Sequence, residues 1–359
     1  MCFLCSMAKE VDYILVGGGL AGACLAFQFL ERRKTFAWFD TPSENRASAI
    51  AAGLFNPITN KVMNKSWDAH KFFNSLHDFY SRAEVRLGKK FFHPGPLYRP
   101  FVSVEEQNSW MVRSVAPEMK EFVRDIFAES RFGHHVNDPH GGIQVNRCGY
   151  LEVLTFIQSV KDAVKAAQSY REERFVHNDI QKDEPLCYRD LVAGKIVFCE
   201  GTAVQSNPIF NWVPVKSLKG ETLEIKIGDR LEQLYNRGVY LVPLANGHYK
   251  VGATYQHNVL PGITAEGKKE LIEKLDALLK LPYEVTAQDW GFRPTIIDRK
   301  PALGNHPEHS NLILFNALGT KGVSLAPHFS GVLADWLEGK IQLEKDVNIS
   351  RFYALYSKF

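Results

Sequence analysis

Apolar and polar residues follow one another along the first forty positions in the order expected for a strand, a helix and a second strand. Residues 11–16 form an apolar run that predicts a strand, and residues 20–32 are mostly apolar and small, which predicts a helix. Residues 35–39 form a second apolar run, and glycines separate the first strand from the helix. The arrangement predicts a βαβ unit, in which the two strands lie parallel.

Helical periodicity returns at later positions. Residues 149–168 and 325–338 predict two helices, and apolar positions within residues 271–279 predict an amphipathic helix. Residues 66–87 predict another, with Ser66 as N-cap and one apolar face that we interpret as core packing, formed by Phe72, Leu76, Phe79 and Ala83.

Strands dominate the middle of the chain. Residues 173–180 and 195–201 predict two strands, residues 221–256 predict several more, and residues 311–317 predict a last buried strand. Because α/β segments flank this strand-rich middle on both sides, we expect one domain assembled from separated pieces and a second domain inserted into it. The expected pieces are 1–90, 143–210 and 286–359 for the α/β domain, and 91–142 and 211–285 for the inserted domain.

Composition is that of an ordinary soluble globular protein, with 359 residues, 45% hydrophobic and 23% charged. The net charge of +3 does not favour nucleic acid or a membrane surface as partner. No apolar run approaches the roughly 20 residues that cross a bilayer. Six cysteines are too few for a disulfide framework and the first residues contain no basic leader, so we expect a reducing cytoplasm.

Candidate metal ligands are scarce. Cys2 and Cys5 form a C-x-x-C that has no second pair at matching spacing. His134 and His135 have no partner at ligand spacing either, so we interpret them as surface residues and expect no metal. Met7 resembles a natural start, which predicts that residues 1–6 are a dispensable extension.

Three glycines after the first strand have the spacing G-x-G-x-x-G. Gly17 permits the tight turn, Gly19 lets the backbone approach a pyrophosphate, and Gly22 lets the helix pack close to the sheet. The helix N-terminus attracts phosphates, and Asp40 at the end of the second strand can accept hydrogen bonds from ribose hydroxyls. This context predicts the ADP moiety of FAD or NAD, while Asp40 argues against NADP. The alternative is a glycine turn without a ligand.

Further motifs lie at residues 47–57, 141–154, 219–225, 240–255, 290–304 and 318–327. Together with the glycine fingerprint, and in the same order along nearly the whole chain, they resemble the D-amino acid oxidase superfamily of FAD-dependent oxidoreductases, which includes glycine oxidase and sarcosine oxidase. The glycine turn at 319–322 is especially similar to that of the FAD domain of the tRNA 5-methylaminomethyl-2-thiouridine bifunctional enzyme. Glu200-Gly201 departs from the Ala-Gly that is common in the superfamily.

The resemblance implies an α/β FAD-binding Rossmann-like domain assembled from separated segments, plus an inserted α+β substrate domain with a mainly antiparallel sheet. Non-covalent FAD is implied, because the last cysteine, Cys199, precedes the final glycine turn. Pro327 is expected in the first turn of the last helix. Beside the fingerprint glycines, the residues implied to line FAD are Leu20, Ala21, Asp40, Thr41, Ala47, Ser48, Ala52, Gly53, Leu54, Val176, Gly201, Gly319, Thr320, Lys321, Gly322 and Val323.

Four residues are candidates for contact with a substrate. Arg293 matches the superfamily's carboxylate-binding arginine, since a guanidinium can hold a carboxylate through two hydrogen bonds; the alternative is a surface salt bridge to Asp298. Tyr240 and Tyr255 match substrate-facing positions, with core packing as the alternative. Lys321 is expected near the flavin, or else as a solvated turn lysine.

The implied activity is oxidation of the C–N bond of a small amine or amino acid by hydride transfer to flavin, followed by imine hydrolysis. The electron acceptor is dioxygen or another compound. A flavoprotein that acts on a carboxymethylaminomethyl group of modified tRNA is the second interpretation, although the charge of +3 favours nucleic acid only weakly. A non-catalytic flavin-binding protein is the third. An NAD-linked dehydrogenase would leave the late motifs unexplained.

Overall fold

The computed structural model describes residues 8–43, 45–59, 64–65, 68–182, 185–257 and 260–356, so Cys2, Cys5 and the predicted cap Ser66 lie outside the described residues. Its α-helices are α1 Leu20–Glu31, α2 Ala47–Ile50, α3 Ala69–Leu87, α4 Val104–Ser114, α5 Val153–Ala166, α6 Ala265–Leu278, α7 Gly322–Leu337 and α8 Tyr353–Tyr356. None of these helices is long and apolar enough to cross a membrane.

The strands, in chain order, are β1 Lys9–Val16, β2 Phe36–Phe39, β3 Leu54–Phe55, β4 Ile58–Thr59, β5 Asn64–Lys65, β6 Phe92–Pro94, β7 Leu97–Pro100, β8 Val123–Phe127, β9 Gly142–Val145, β10 Gly149–Leu151, β11 Tyr170–Arg171, β12 Ile180–Gln181, β13 Leu186–Tyr188, β14 Leu191–Phe198, β15 Lys216–Ile227, β16 Leu234–Arg237, β17 Val239–Pro243, β18 Tyr249–Gly252, β19 Gln256–His257, β20 Tyr283–Thr295, β21 Ala302–Asn305 and β22 Leu312–Asn316.

An eight-stranded sheet carries the predicted βαβ unit. Its order is β11-β2-β1-β14-β13-β12, and β22 pairs with β14 and with β21. Strands β2 and β14 both run parallel to β1, which confirms the α/β interpretation of the chain start. The apolar runs of these strands are buried on both faces, as a parallel sheet covered by helices requires, and Ile14 and Leu15 are fully buried.

A nine-stranded sheet contains strands from both parts of the predicted inserted domain. Its order is β19-β15-β18-β17-β16-β7-β9-β8, with β20 paired to β15, and every pair except β16–β7 is antiparallel. The expected boundary at 285/286 falls inside β20, which pairs with β15 over its whole length. The division of the chain into domains stays a prediction.

Helices α1, α3, α5 and α7 pack against one another beside the eight-stranded sheet. The predicted apolar face of α3 is buried there, so its interpretation as core is confirmed. Residues 173–176, by contrast, form no strand, and the prediction of a strand at 173–180 was wrong. Phe175 packs against Phe39 and Phe198 while the backbone crosses to a short 3₁₀ turn at His177–Asp179.

Pro327 lies inside α7 rather than in its first turn, so that expectation was wrong, because the helix begins at Gly322 directly after the glycine turn. Proline has no N–H to donate to the carbonyl four residues earlier, which belongs to Val323. The hydroxyl of Tyr80, on α3, donates to that carbonyl at 3.1 Å. Tyr80 therefore replaces the hydrogen bond that the proline removes.

Tyr80→Phe is expected to lower the free energy of unfolding by about 1–3 kcal/mol, because the buried Val323 carbonyl loses its donor. Urea denaturation followed by circular dichroism measures the change. Tyr13→Phe, which also deletes the hydroxyl of a tyrosine in this core, is the matched control and should cost less. Equal losses in the two variants would contradict the role of Tyr80.

Candidate active site

A cavity of about 770 Å³ runs between the two large sheets and collects most of the residues singled out from the sequence. Its volume lies in the range of small-molecule and cofactor sites. Three of the residues singled out, Gly22, Val176 and Lys321, do not line it. Those that do are Gly17, Gly19, Leu20, Ala21, Asp40, Thr41, Ala47, Ser48, Ala52, Gly53, Leu54, Gly201, Tyr240, Tyr255, Arg293, Gly319, Thr320, Gly322 and Val323.

The first glycine turn forms one wall of the cavity. Gly17 has a φ of +103°, and a Cβ there would lie 2.5 Å from the carbonyl oxygen of Cys199. Gly22 does not reach the cavity; a side chain on it would collide with the Gly17 carbonyl, so its role is close packing between helix and turn. No side chain caps α1 at Gly19, and the N–H of Leu20 donates to Ser48 Oγ at 3.0 Å. The helix N-terminus thus opens onto the cavity and favours an anion.

Asp40 is buried and held by cations that sequence reasoning missed. Its carboxylate accepts hydrogen bonds from the Gly18 N–H at 2.8 Å and from Lys161 Nζ at 2.6 Å. Arg46 Nη1 lies 3.1 and 3.2 Å from the two carboxylate oxygens. Lys161 is itself buried on α5, whereas Arg46 lines the cavity. Two cations therefore surround the carboxylate that the sequence assigned to a ribose.

The guanidinium of Arg293 lies flat over Gly220. A Cβ on that glycine would be only 2.2 to 2.4 Å from Nη2, Nη1 and Cζ of the arginine. Its Nη1 donates to the Thr254 carbonyl at 3.3 Å, and its Cζ lies 5.0 Å from the centre of the Tyr255 ring. The alternative of a salt bridge to Asp298 was wrong, since Asp298 pairs with Arg351 at 2.9 Å. Within the described ranges, no carboxylate forms an ion pair with Arg293.

Tyr240 lies over a second glycine beside Arg293. A Cβ on Gly252 would be 2.5 Å from Tyr240 Oη and 2.9 Å from the methyl group of Thr222. Burial raises the pKa of Tyr240 to about 12, although the charge of Arg293 acts in the opposite direction. The phenol therefore stays protonated at neutral pH and can donate a hydrogen bond. Tyr255, by contrast, is 62% exposed at the mouth of the cavity.

The second glycine turn leads into α7, which also begins without a side-chain cap. The Gly319 N–H donates to the Pro294 carbonyl at 2.9 Å, which ties this turn to the end of β20. Lys321 precedes the helix, and its side chain does not line the cavity. Burial, aided by the charge of Arg299, lowers the pKa of Lys321. The expectation that Lys321 lies near the flavin thus gains no support from its position.

Val176 also lies off the cavity, and its backbone groups are already used. Its N–H donates to Tyr188 Oη at 3.0 Å, and its carbonyl accepts from the Asp179 N–H at 3.0 Å. The neighbours Phe175 and His177 line the cavity instead. Glu200 stands where the resembled superfamily commonly has alanine. Its Oε1 lies 2.9 Å from His177 Nε2.

Some residues around the cavity were not predicted from the sequence. Their sequence signals were weak, or were of a kind that ordinary core packing also produces. Lys161 occupies a position on the apolar face of α5, where a lone lysine signals a buried partner. Gly220 lies inside β15 and Gly252 ends β18, and glycine in a strand often marks the close approach of another group. Arg46 carries no such signal, because it becomes a site residue only through the fold around Asp40.

Comparison with known proteins places these features in a family. The family model described as FAD dependent oxidoreductase matches residues 12–336. Glycine oxidase of Bacillus subtilis (strain 168) is 23% identical over 365 residues, covering 93% of this chain and 95% of that protein. The crystal structure of glycine oxidase from Geobacillus kaustophilus superimposes with a TM-score of 0.78 at 20% identity, covering 96% of this chain and 98% of that chain.

A third relative is longer. The tRNA 5-methylaminomethyl-2-thiouridine biosynthesis bifunctional protein of Idiomarina loihiensis is 22% identical over 368 residues, which cover 95% of this chain but 59% of that protein. FAD is the cofactor of the matched family, and the residues around the cavity fit it. The N-termini of α1 and α7 both open onto the cavity without a hydrogen bond from the side chain of their N-cap residue, which suits the pyrophosphate and the electron-rich end of the flavin. The small residues 51–53 leave room for a planar ring.

Lys161→Met is expected to weaken FAD binding roughly 10- to 100-fold, the scale of one lost hydrogen bond to a charged group. Methionine keeps the length of the stem but removes the ammonium group that holds Asp40. Titration of the apoprotein with FAD, followed by flavin fluorescence, measures the affinity without any turnover.

Lys165→Met is the matched control for this experiment. Lys165 lies one turn further along α5, and its ammonium group, like that of Lys161, lies over the ring of Tyr170. Unlike Lys161, it pairs with Glu172, at 3.5 Å. Its substitution should leave the FAD affinity unchanged. If Lys161→Met binds FAD as tightly as Lys165→Met, Lys161 has no part in the cofactor site.

Proposed function

This chain belongs to the family of FAD-dependent oxidoreductases, and we propose that it oxidises the C–N bond of a small amine or amino acid that carries a carboxylate. The observation that carries the proposal is the guanidinium of Arg293. It lies in the wall of the cavity beside Tyr240 and forms no ion pair with a carboxylate within the described residues. A substrate carboxylate supplies the missing partner.

The surroundings of Arg293 suit a flat, two-pronged contact. Because Gly220 has no side chain, the guanidinium can lie against the strand and present one edge to the cavity. The protonated phenol of Tyr240 donates a further hydrogen bond to the same carboxylate. Together these contacts fix the position of the α-carbon relative to the cofactor, which is the main contribution of a protein to flavin chemistry.

We assign the cofactor contacts by the same reasoning. The turn at 17–19 and the N-terminus of α1 hold the pyrophosphate, and Asp40 accepts hydrogen bonds from ribose hydroxyls. The turn at 319–323 and the N-terminus of α7 face the pyrimidine end of the flavin. FAD is held without a covalent bond, since Cys199, the one described cysteine that lines the cavity, is buried, and burial raises the pKa of its thiol.

When bound, FAD supplies the acceptor for a hydride from the α-carbon. Arg293 and Tyr240 hold the substrate carboxylate so that this carbon faces the cofactor, and the amine reacts in its neutral form. Loss of the hydride and of one N–H proton leaves an imine, which water hydrolyses to a carbonyl compound and a free amine. The electrons pass to dioxygen or to another acceptor.

A carboxymethylaminomethyl group on modified tRNA is the second candidate substrate. It contains the same elements, a carboxylate next to a secondary amine. The exposure of Tyr255 favours this candidate, because an open cavity mouth admits a group attached to a large molecule. A non-catalytic flavin-binding role is not supported, because the chain belongs to a family of enzymes.

Arg293→Lys is expected to raise the substrate KM roughly 10- to 100-fold, because lysine keeps the charge but loses the planar fork. Anaerobic reduction of the flavin, followed by its absorbance, measures substrate dependence for glycine, N-alkylated amino acids and the modified nucleoside. Arg124→Lys, on the exposed strand β8, is the control. An unchanged substrate dependence in Arg293→Ala would refute the assignment.

Lys321→Met is expected to leave the reduction potential of the bound flavin unchanged, because the lysine side chain does not line the cavity. Spectroelectrochemical titration of this variant beside the unmodified protein measures the potential. A lower potential in Lys321→Met would mean that the ammonium group acts on the flavin after all.

A further inference from the structure

Three groups that can ligate a metal ion meet outside the cavity, in two connections between strands of the nine-stranded sheet. They are His134, His135 and Glu232, and one donor atom from each lies within 4.8 Å of the other two. His134 Nε2 is 3.4 Å from Glu232 Oε1. None of the three lines the cavity, so the proposed oxidation does not use them.

We propose that these three residues form a binding site for a divalent transition-metal ion, with zinc as the best match. Two imidazole nitrogens and one carboxylate oxygen are ligands that zinc prefers. Metal–ligand bonds of about 2.0–2.2 Å require donor atoms roughly 3–3.6 Å apart. His134 and Glu232 already meet this requirement, and water completes the tetrahedron.

Bringing all three donor atoms to the distances that a metal ion requires takes only rotation of exposed side chains. His134 and Glu232 are each 57% exposed, so their side chains can move without disturbing the core. His135, in contrast, is 7% exposed, so its interpretation as a surface residue was wrong, and it is the fixed member of the site. A fixed ligand with two adaptable ligands around it needs little reorganisation to bind an ion.

A buried hydroxyl orients the fixed ligand. Tyr235 Oη lies 3.4 Å from His135 Nδ1, and Tyr235 is fully buried. Metal-binding histidines commonly use their second nitrogen in this way, which fixes the ring and its tautomer. The other nitrogen, Nε2, is therefore the one assigned to the metal.

The loop that carries the histidines is preorganised by a carboxylate. Asp138 accepts hydrogen bonds from the Arg131 N–H at 2.9 Å and the Phe132 N–H at 2.8 Å. The backbone of His135 is also fixed, since its N–H donates to the Phe132 carbonyl and its carbonyl accepts from the Lys280 N–H.

The site would join two distant parts of the chain. The histidines follow β8, whereas Glu232 lies two residues before the start of β16, and both strands belong to the nine-stranded sheet. An ion held between them closes a long loop of the chain and so stabilises this sheet. Sequence spacing could not predict the site, because its third ligand comes from a remote turn.

Zinc titration of the FAD-loaded protein tests the proposal. Cys2 and Cys5 are replaced by serine in every sample, because thiolates would bind zinc themselves. Calorimetry is expected to detect one zinc ion per chain, bound at least roughly tenfold more weakly in His134→Ala and Glu232→Gln, by the scale of a disturbed metal site. Cobalt absorption in the visible range reports the same ligands.

His257→Ala removes an exposed histidine outside the cluster and should bind zinc like the unmodified protein. Zinc should also raise the melting temperature of the unmodified protein and of this control, but not of the two ligand variants. The proposal is overturned if no zinc binds at micromolar concentration, or if His134→Ala and His257→Ala bind it equally.

Discussion

The long antiparallel pair of β15 and β20 is the constraint on which the site depends. It begins in the nine-stranded sheet and ends at the cavity, where it brings Arg293 over the strand opposite. The end of β20 also fixes the surrounding turns: Phe292 bridges to Arg46, and the Pro294 carbonyl binds the Gly319 N–H. One strand pair therefore sets the distance between the proposed substrate contact and both parts of the proposed cofactor site.

Glycines control this geometry by leaving space rather than by flexibility alone. Gly220 and Gly252 lie in neighbouring strands, and each leaves room for one polar side chain to lie flat against the sheet. A methyl group at either position would collide with the guanidinium of Arg293 or the phenol of Tyr240 and force it to shift. Different residues thus determine the shape and the chemistry of the site. The glycines leave the space, and the polar side chains that fill it supply the hydrogen-bonding groups.

Much of the fold could be predicted because its signals are local. The glycine fingerprint and the apolar runs around it specify the βαβ unit, and the stripe that includes Phe72 and Phe79 specifies a helix face. The site was only partly predictable, since Lys161 reaches Asp40 across more than a hundred residues of chain and Arg46 acts only once the turn after β2 has folded. Lys321 and Val176 were assigned by position in a motif, and neither is among the residues that line the cavity, although neighbours of both are.

The two cations beside Asp40, Lys161 and Arg46, determine how the carboxylate at this end of the cavity is paired. A lone buried carboxylate would be costly, and Lys161 reduces that cost from the protein side. Arg46 approaches from the cavity side and occupies the oxygens that a ribose would need. In the proposed binding mode, buried Lys161 would stay in place on Asp40, whereas Arg46, which is only partly buried, would yield to the ribose hydroxyls. On this proposal, binding of the cofactor would exchange one hydrogen-bonded partner of Asp40 for another, and the carboxylate would keep a partner throughout.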